Sequence, residues 1–402
     1  MSQAEMDPLQ FTPSAPGRLV AIGDGGGSHA FVPAPLPFTA NVLTPDVALA
    51  VSEADAELGR LDGLAANLPD PEILIGPFLR REAILSSRIE GAQTTFSDLV
   101  IFEATERKPS RDTQEVSNYI EALKYGVRRL PEISLSRQLI DEMHALLMVG
   151  TGPEKLPGRF RDRQVSIAPP GLSIHDARYV PPPPHAIDPA FSNLLDYYER
   201  PDRLPLLIRL AVAHYQFEAI HPFIDGNGRL GRLLIVLMLC HARRLAAPML
   251  YLSAYFERRR NQYNDLMLAV SQKGAWEPWI IFFVNGVAMQ ARDAIIRTAQ
   301  LQELRSFYRK RVTGARRSTS ALALVDALFG FPGMTTRIAT DLLGVSDTAA
   351  LENIMKLVDV GILSEIPIAG RKRLFAAREI IEIIDRAEAV PNAPIARRRE
   401  SS

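Results

Sequence analysis

Between Leu204 and Met249 this 402-residue chain is more apolar than anywhere else, and one polar, glycine-rich segment interrupts the run. That segment reads His221-Pro222-Phe223-Ile224-Asp225-Gly226-Asn227-Gly228-Arg229-Leu230-Gly231-Arg232. Leu206 to Ala219 before it and Leu233 to Cys240 after it predict helix, short loop, helix. Polar groups set between core helices are costly to bury without partners. The loop therefore either faces solvent or is built around something it binds.

Three readings fit the loop. Gly226, Gly228 and Gly231 match G-x-G-x-x-G, a dinucleotide pattern. That pattern needs a preceding strand and an acidic residue about 20 positions downstream, and this chain offers neither. A glycine-rich turn with solvated charges accounts for each residue singly, but not for His221, Asp225, Asn227, Arg229 and Arg232 together. The third reading is an anion site at a helix N-terminus. A helix starting near Gly228 directs free N–H groups and the positive end of its dipole into the loop. Gly226 and Gly228 let backbone N–H groups approach a phosphate closely. Arg229 and Arg232 share a helical face and clamp further phosphates. Asp225 is placed to hold Mg²⁺, with phosphates as its other ligands. His221 is the natural group to take a proton from an attacking hydroxyl. Base, metal ligand and anion clamp in one loop describe phosphoryl or nucleotidyl transfer.

The rest of the chain bounds the setting. Its length suggests two or three domains at roughly 150 residues each. Lys plus Arg and Asp plus Glu are both 46, which argues against bulk-charge attachment to nucleic acid or anionic lipid. The lone Cys240 excludes a disulfide framework and a cysteine-rich zinc site. No uninterrupted apolar run approaches the roughly 20 residues that span a bilayer, and no secretory signal is visible. A soluble, cytoplasmic protein with no membrane partner is the expectation. Residues 1–43, rich in Pro and Gly, read as an irregular arm, with Gly23 to Ser28 as a flexible turn rather than a phosphate loop. Helices are expected from Thr44 through Leu68 and from Pro71 to Glu90, with Gly91 in a left-handed cap. Others are expected at 113–129, 136–149, 188–199, 253–272 and 276–310. Gln164–Ile167 and Ala177–Val180 suggest a hairpin, and Pro181 to Pro184 an extended spacer. Residues 316–385 read as three short helices and a two-stranded wing, Pro391 to Ser402 as a disordered tail. His214 and His241 lack partners at ligand spacing and read as core or surface residues.

The 221–232 segment resembles the signature of the Fic (filamentation induced by cAMP) domain family, H-x-F-x-[DE]-G-N-G-R-x-x-R, at every specified position. The similarity extends over about 70–310 and includes His214 to Ile220, the hairpin, Tyr251-Leu252-Ser253, Phe256-Glu257 and Tyr263. Where relatives often carry a second tyrosine this chain has Asn264, so no adenine contact is carried onto that position. The resemblance implies a mainly α fold: an N-terminal helical region (44–130), a Fic-type helical core (131–312) with a β-hairpin flap, and a C-terminal winged-helix domain (316–385). Residues 386–402 remain a disordered tail. It implies transfer of AMP from ATP to a Ser, Thr or Tyr hydroxyl of a target protein and of the enzyme itself, releasing pyrophosphate. By the same resemblance His221 is the base and Asp225 holds Mg²⁺. Asn227 and the N–H of Gly228 hold the α-phosphate beside Gly226, and Arg229 and Arg232 hold the β- and γ-phosphates. Phe223 anchors the loop in the core.

Ser86-Ser87-Arg88-Ile89-Glu90-Gly91 resembles the family's inhibitory motif, [ST]-x-x-x-E-[GN]. The resemblance implies that Glu90, one turn after Ser86, pairs with Arg232 and blocks the productive pose of the γ-phosphate. The same glutamate orients water for removal of AMP in some relatives, so de-AMPylation stays open, as does transfer of another nucleotide. The flap implies strand addition of a target segment. The winged helix admits DNA contact through Gly370-Arg371-Lys372-Arg373, protein docking, or a homodimer. Asp347, Glu352 and Asp359 on its recognition helix suit a major groove poorly. The alternative from another class is a winged-helix regulator whose Fic part senses nucleotide.

Overall fold

The apolar stripe beginning at Val47 folds as a helix over Pro45–Ala66 in a computed structural model. The structure describes residues 6–22, 28–37, 42–66, 72–105, 108–167, 177–200, 203–315, 319–368 and 373–387. The Thr44 hydroxyl accepts the Val47 N–H at 3.3 Å, and Pro45 suits a first turn that needs no donor. Val47, Ala54, Leu58 and Leu61 are fully buried.

In chain order the elements are β1 (Gly17–Ile22), β2 (Ser28–Pro33), α1 (Pro45–Ala66), α2 (Glu72–Ile89), α3 (Phe96–Thr105), α4 (Arg111–Ile133) and α5 (Arg137–Leu147). Then come α6 (Ile187–Glu199), α7 (Leu206–Ile220), α8 (Asn227–His241), α9 (Ser253–Arg258), α10 (Arg260–Lys273) and α11 (Trp276–Ala315). The order closes with α12 (Thr319–Gly330), β3 (Gly333–Met334), α13 (Thr336–Leu343), α14 (Asp347–Asp359), β4 (Ser364–Ile366), β5 (Leu374–Ala376) and α15 (Arg378–Asp385). The chain divides into two compact units: residues 1–59, 118–248 and 252–289, and residues 60–117, 249–251 and 290–402.

The first unit is built on α7 and α8, whose side chains are almost all buried. His214 sits among Phe256, Tyr263, Trp279 and Phe283, its Nε2 2.8 Å from the Tyr263 hydroxyl. Burial pushes its pKa down to about 3, which makes it a neutral core histidine. Against the reading of 1–43 as irregular, β1 and β2 pair antiparallel from Gly17↔Pro33 to Ile22↔Ser28. The prolines around these strands and the weak alternation along β1 conceal them in sequence. Ala30 and Phe31 of β2 are fully buried, and the Phe31 N–H donates to the Val180 carbonyl at 2.9 Å. The expected hairpin is reduced, among the described residues, to one antiparallel bridge between Ile167 and Tyr179. Pro181 and Pro182 have no N–H to extend a ladder, so the Gln164 side-chain amide donates to the Pro181 carbonyl instead, at 2.7 Å. The helix expected over 253–272 breaks at Arg259, which leaves helical geometry at φ −117° and ψ 31°.

The second unit holds α2, α3 and α12–α15 with a three-stranded antiparallel sheet ordered β3-β5-β4. Its fully buried Arg297 forks onto Asp293 at 2.7 and 3.0 Å and caps the end of α15 through the Ile384 and Arg386 carbonyls. Gly344, at φ +63°, ends α13, and Ser346 caps α14. Neither α3, β3 nor α15 was legible as an element in sequence. The turn at 23–27, the basic wing tip at 370–372 and the tail from 388 lie outside the described residues. By length and composition α11 alone, among the described residues, is apolar enough to cross a membrane; 61% of its apolar window is buried inside the protein.

Candidate active site

The helix entering the loop stops at His221, which takes a left-handed conformation (φ 49°, ψ 61°) that a residue with a Cβ adopts reluctantly. Arg161 holds it there. This 2% exposed guanidinium donates to the His221 carbonyl at 2.9 Å, to the Arg163 carbonyl at 3.2 Å and to the Pro182 carbonyl. Its own N–H donates to the Pro222 carbonyl at 2.9 Å. Burial pushes the Arg161 pKa down to about 10, so it stays charged.

Phe223 is fully buried, stacked on His144 at 3.7 Å between ring centroids and edge-on to Phe160 at 5.3 Å. Asn227 latches the turn: its Oδ1 accepts the Phe223 N–H and its Nδ2 donates to the Phe223 carbonyl, both at 2.9 Å. The reading of Asn227 as an α-phosphate ligand is therefore joined by a structural task, closing the loop through its side chain.

His144 ties this loop to the one before the flap. Its Nδ1 accepts the Gly158 N–H at 2.9 Å, which assigns the proton to Nε2, 3.0 Å from the Asp225 carbonyl it donates to. Burial pushes its pKa down to about 4 and keeps it in that neutral tautomer. Gly226 turns beneath it at φ +80°, where a Cβ would meet Met148 Sδ at 2.9 Å. His144→Phe keeps the stack on Phe223 but orphans the Gly158 N–H and the Asp225 carbonyl. It is expected to cost about 1–3 kcal/mol, read as a lowered thermal midpoint.

From Gly226 onward α8 presents its N-terminus, and its N-cap residue contributes no side chain. Asp225 faces this end, its Oδ1 accepting the Gly226 N–H at 2.6 Å and an Arg229 N–H at 3.2 Å. Its Oδ2 accepts from the Lys155 ammonium. Burial raises the Asp225 pKa, but Lys155, Arg229 and the Gly226 N–H outweigh it and hold the carboxyl ionised below its ordinary value. Arg229 and Arg232 are each 2% exposed, which overturns the reading of this loop as a turn with solvated charges.

The structure thus gathers His221, Asp225, Gly226, Asn227, Gly228, Arg229 and Arg232 at one helix start. Sequence reasoning missed Lys155, His144 and Arg161, which reach the loop from a segment 60 or more positions upstream. Ser86 and Glu90 belong to the second unit. Ser86 is fully buried in α2; Glu90 is exposed in the turn one residue past that helix, its N–H on the Ser87 carbonyl at 3.1 Å. Gly91 follows at φ +106°, as expected of a cap.

For a divalent cation the donor set is one carboxylate, Asp225, and no group of three or more His, Cys, Asp or Glu side chains gathers among the described residues. A single carboxylate suits Mg²⁺ brought in on a nucleotide, where phosphates supply the remaining ligands.

Two family patterns match the chain: the Fic/DOC family N-terminal region over residues 48–128 and the Fic/DOC family proper over 134–239. A probable protein adenylyltransferase of Aquifex aeolicus is 33% identical over 64 residues, 16% of this chain and 20% of its own length. The protein adenylyltransferase Fic of Nematostella vectensis is 32% identical over 165 residues, 39% of this chain and 36% of its own. The chain thus spans about a third or less of these relatives. A Fic family protein from Desulfovibrio desulfuricans G20 shares the fold, with a TM-score of 0.55 at 22% identity over 85% of this chain and 97% of that one. Signature loop, helical core and matched segments together place Fic/DOC family domains in residues 48–239 of this chain.

Proposed function

We propose that this protein is a self-restrained protein adenylyltransferase that moves AMP from Mg-ATP to a Ser, Thr or Tyr hydroxyl. The observation that carries the reading is the burial of Arg229 and Arg232, each 2% exposed, on the first two turns of a helix without a side-chain cap. Two buried guanidiniums beside free helical N–H groups make a site for a polyphosphate. The adenylyltransferase names of the relatives agree with it.

In this reading His221 accepts the proton of the acceptor hydroxyl as its oxygen attacks the α-phosphorus. The new O–P bond forms while the bond to the β-phosphate oxygen breaks, and pyrophosphate leaves. The Gly228 N–H steadies the α-phosphate oxygens, and Arg229 and Arg232 hold the charge that gathers on the departing phosphates. Asp225 would hold a Mg²⁺ ion brought in with the nucleotide, which would supply further neutralisation of that charge. Arg161 and His144 keep the base and the metal carboxylate at a fixed spacing. Pre-set geometry of this kind is where most phosphoryl-transfer catalysis resides.

Glu90 is the brake in this reading, a carboxylate that competes with the γ-phosphate for Arg232. Wild type and Glu90→Gly, each incubated with ATP and analysed by mass spectrometry, test function and brake together. Adenylyl adducts are expected on both, several-fold more on Glu90→Gly; equal labelling removes the brake, and absence of adducts removes the transferase.

The succession α12-β3-α13-α14-β4-β5 supports the reading of a winged helix within 316–385. Its wing is neutralised at the base, where Arg373 forks onto Glu365 at 2.8 and 2.6 Å, and α14 exposes Asp347, Glu352 and Asp359. That charge favours a protein partner or a second copy over DNA.

A further inference from the structure

The Asp225 carboxylate has two unlike oxygens. Oδ1 is used up inside the loop by the Gly226 N–H and Arg229, so Oδ2 is the oxygen left for a cation. In the structure Oδ2 already has one, the Lys155 ammonium. The pair is partly open, with side chains 24% and 33% exposed, so it can part without stranding a charge in the core.

Lys155 is not delivered there by chance of a floppy side chain. Its backbone is the last residue of the 3₁₀ turn Pro153–Lys155, entered at Gly152 (φ 105°) and left at Leu156 (φ 50°). Three residues on, Gly158 is fastened to His144 Nδ1, and His144 in turn holds the Asp225 carbonyl. One histidine therefore fixes both the strand of chain that carries the ammonium and the residue that carries the carboxylate.

Resting on the nucleotide site argued above, we propose that Lys155 is the resident counter-cation of Asp225 and that nucleotide-borne Mg²⁺ takes its place on Oδ2. An ammonium neutralises the second carboxylate oxygen, Oδ2, in the absence of nucleotide. It also raises the Mg²⁺ concentration needed to load the site, because every binding event must first break the ion pair. Nucleotide arriving without metal leaves the pair intact and gains nothing from Oδ2.

The test is equilibrium binding by calorimetry, with an ATP analogue whose α–β bridge cannot be cleaved, titrated at a series of Mg²⁺ concentrations. Wild type, Lys155→Met and Lys155→Arg are compared, with thermal unfolding of each to confirm the fold. Lys155→Met is expected to need about fivefold less Mg²⁺ for half-maximal affinity, the scale of one partly exposed ion pair. Lys155→Arg, which keeps the charge, is expected to track wild type. Metal-free affinity in Lys155→Met is expected to be no tighter than in wild type. An unchanged or higher Mg²⁺ requirement in Lys155→Met overturns the proposal while leaving the nucleotide site standing. Failure of all three proteins to bind the analogue at any Mg²⁺ concentration overturns both.

Discussion

His221→Ala is expected to lower label transfer from ATP by about 10²- to 10⁴-fold, the span that a positioned proton acceptor contributes. The affinity for ATP is expected to stay close to that of wild type, because the phosphate-facing groups begin at Gly226, beyond the left-handed kink. Two effects need separating, since position 221 has φ 49° and any substitution there also tests the backbone. His221→Asn provides the control: asparagine tolerates that region better than most residues but has no basic nitrogen at neutral pH. Equal loss in both variants with unchanged ATP affinity assigns the effect to proton transfer. Retention of transfer in His221→Asn would mean that the imidazole is not the base.

Arg161→Met tests the support rather than the chemistry. The methionine fills much of the same space, but the carbonyls of His221, Arg163 and Pro182 lose their shared donor, and that of Pro182 stays buried. At about 1–3 kcal/mol for a buried group left unpaired, a loss of roughly 2 kcal/mol in stability is expected by denaturant unfolding. Transfer should fall further than stability does. A base shifted by about 1 Å costs on the order of 10²-fold, and the loss should appear in kcat with little change in KM for ATP. Arg161→Lys should not rescue, because a compact ammonium cannot fan out to carbonyls on three different segments. Restoration of kcat by lysine would reduce Arg161 to a local charge.

Much of this architecture follows from residue spacing. The stripe from Val47, the cap at Thr44, the break at 221–226 and the restart at Asn227 are local patterns, and local patterns are what a sequence displays. The latch of Asn227 onto Phe223 was also local, four residues back, yet an amide in a phosphate-binding signature draws attention to the ligand first. The contributions of Arg161, His144 and Lys155 were of another kind. Each is an ordinary polar residue in its own neighbourhood, and its meaning arises only when a segment 60 or more positions earlier is laid beside the signature. The small sheet of β1 and β2 escaped notice because its strands are short, proline-flanked and weakly alternating, and most of its order comes from what lies beneath it.

That sheet has a mechanical implication. Phe31 donates its backbone N–H to Val180, and the Tyr179 hydroxyl donates to the Ala219 carbonyl, two positions before the imidazole. A tug on β2 is thus relayed through two hydrogen bonds to the last turn of the helix that enters the signature loop. An affinity handle or cleavage upstream of Gly17 is therefore expected to register first in the backbone just before His221.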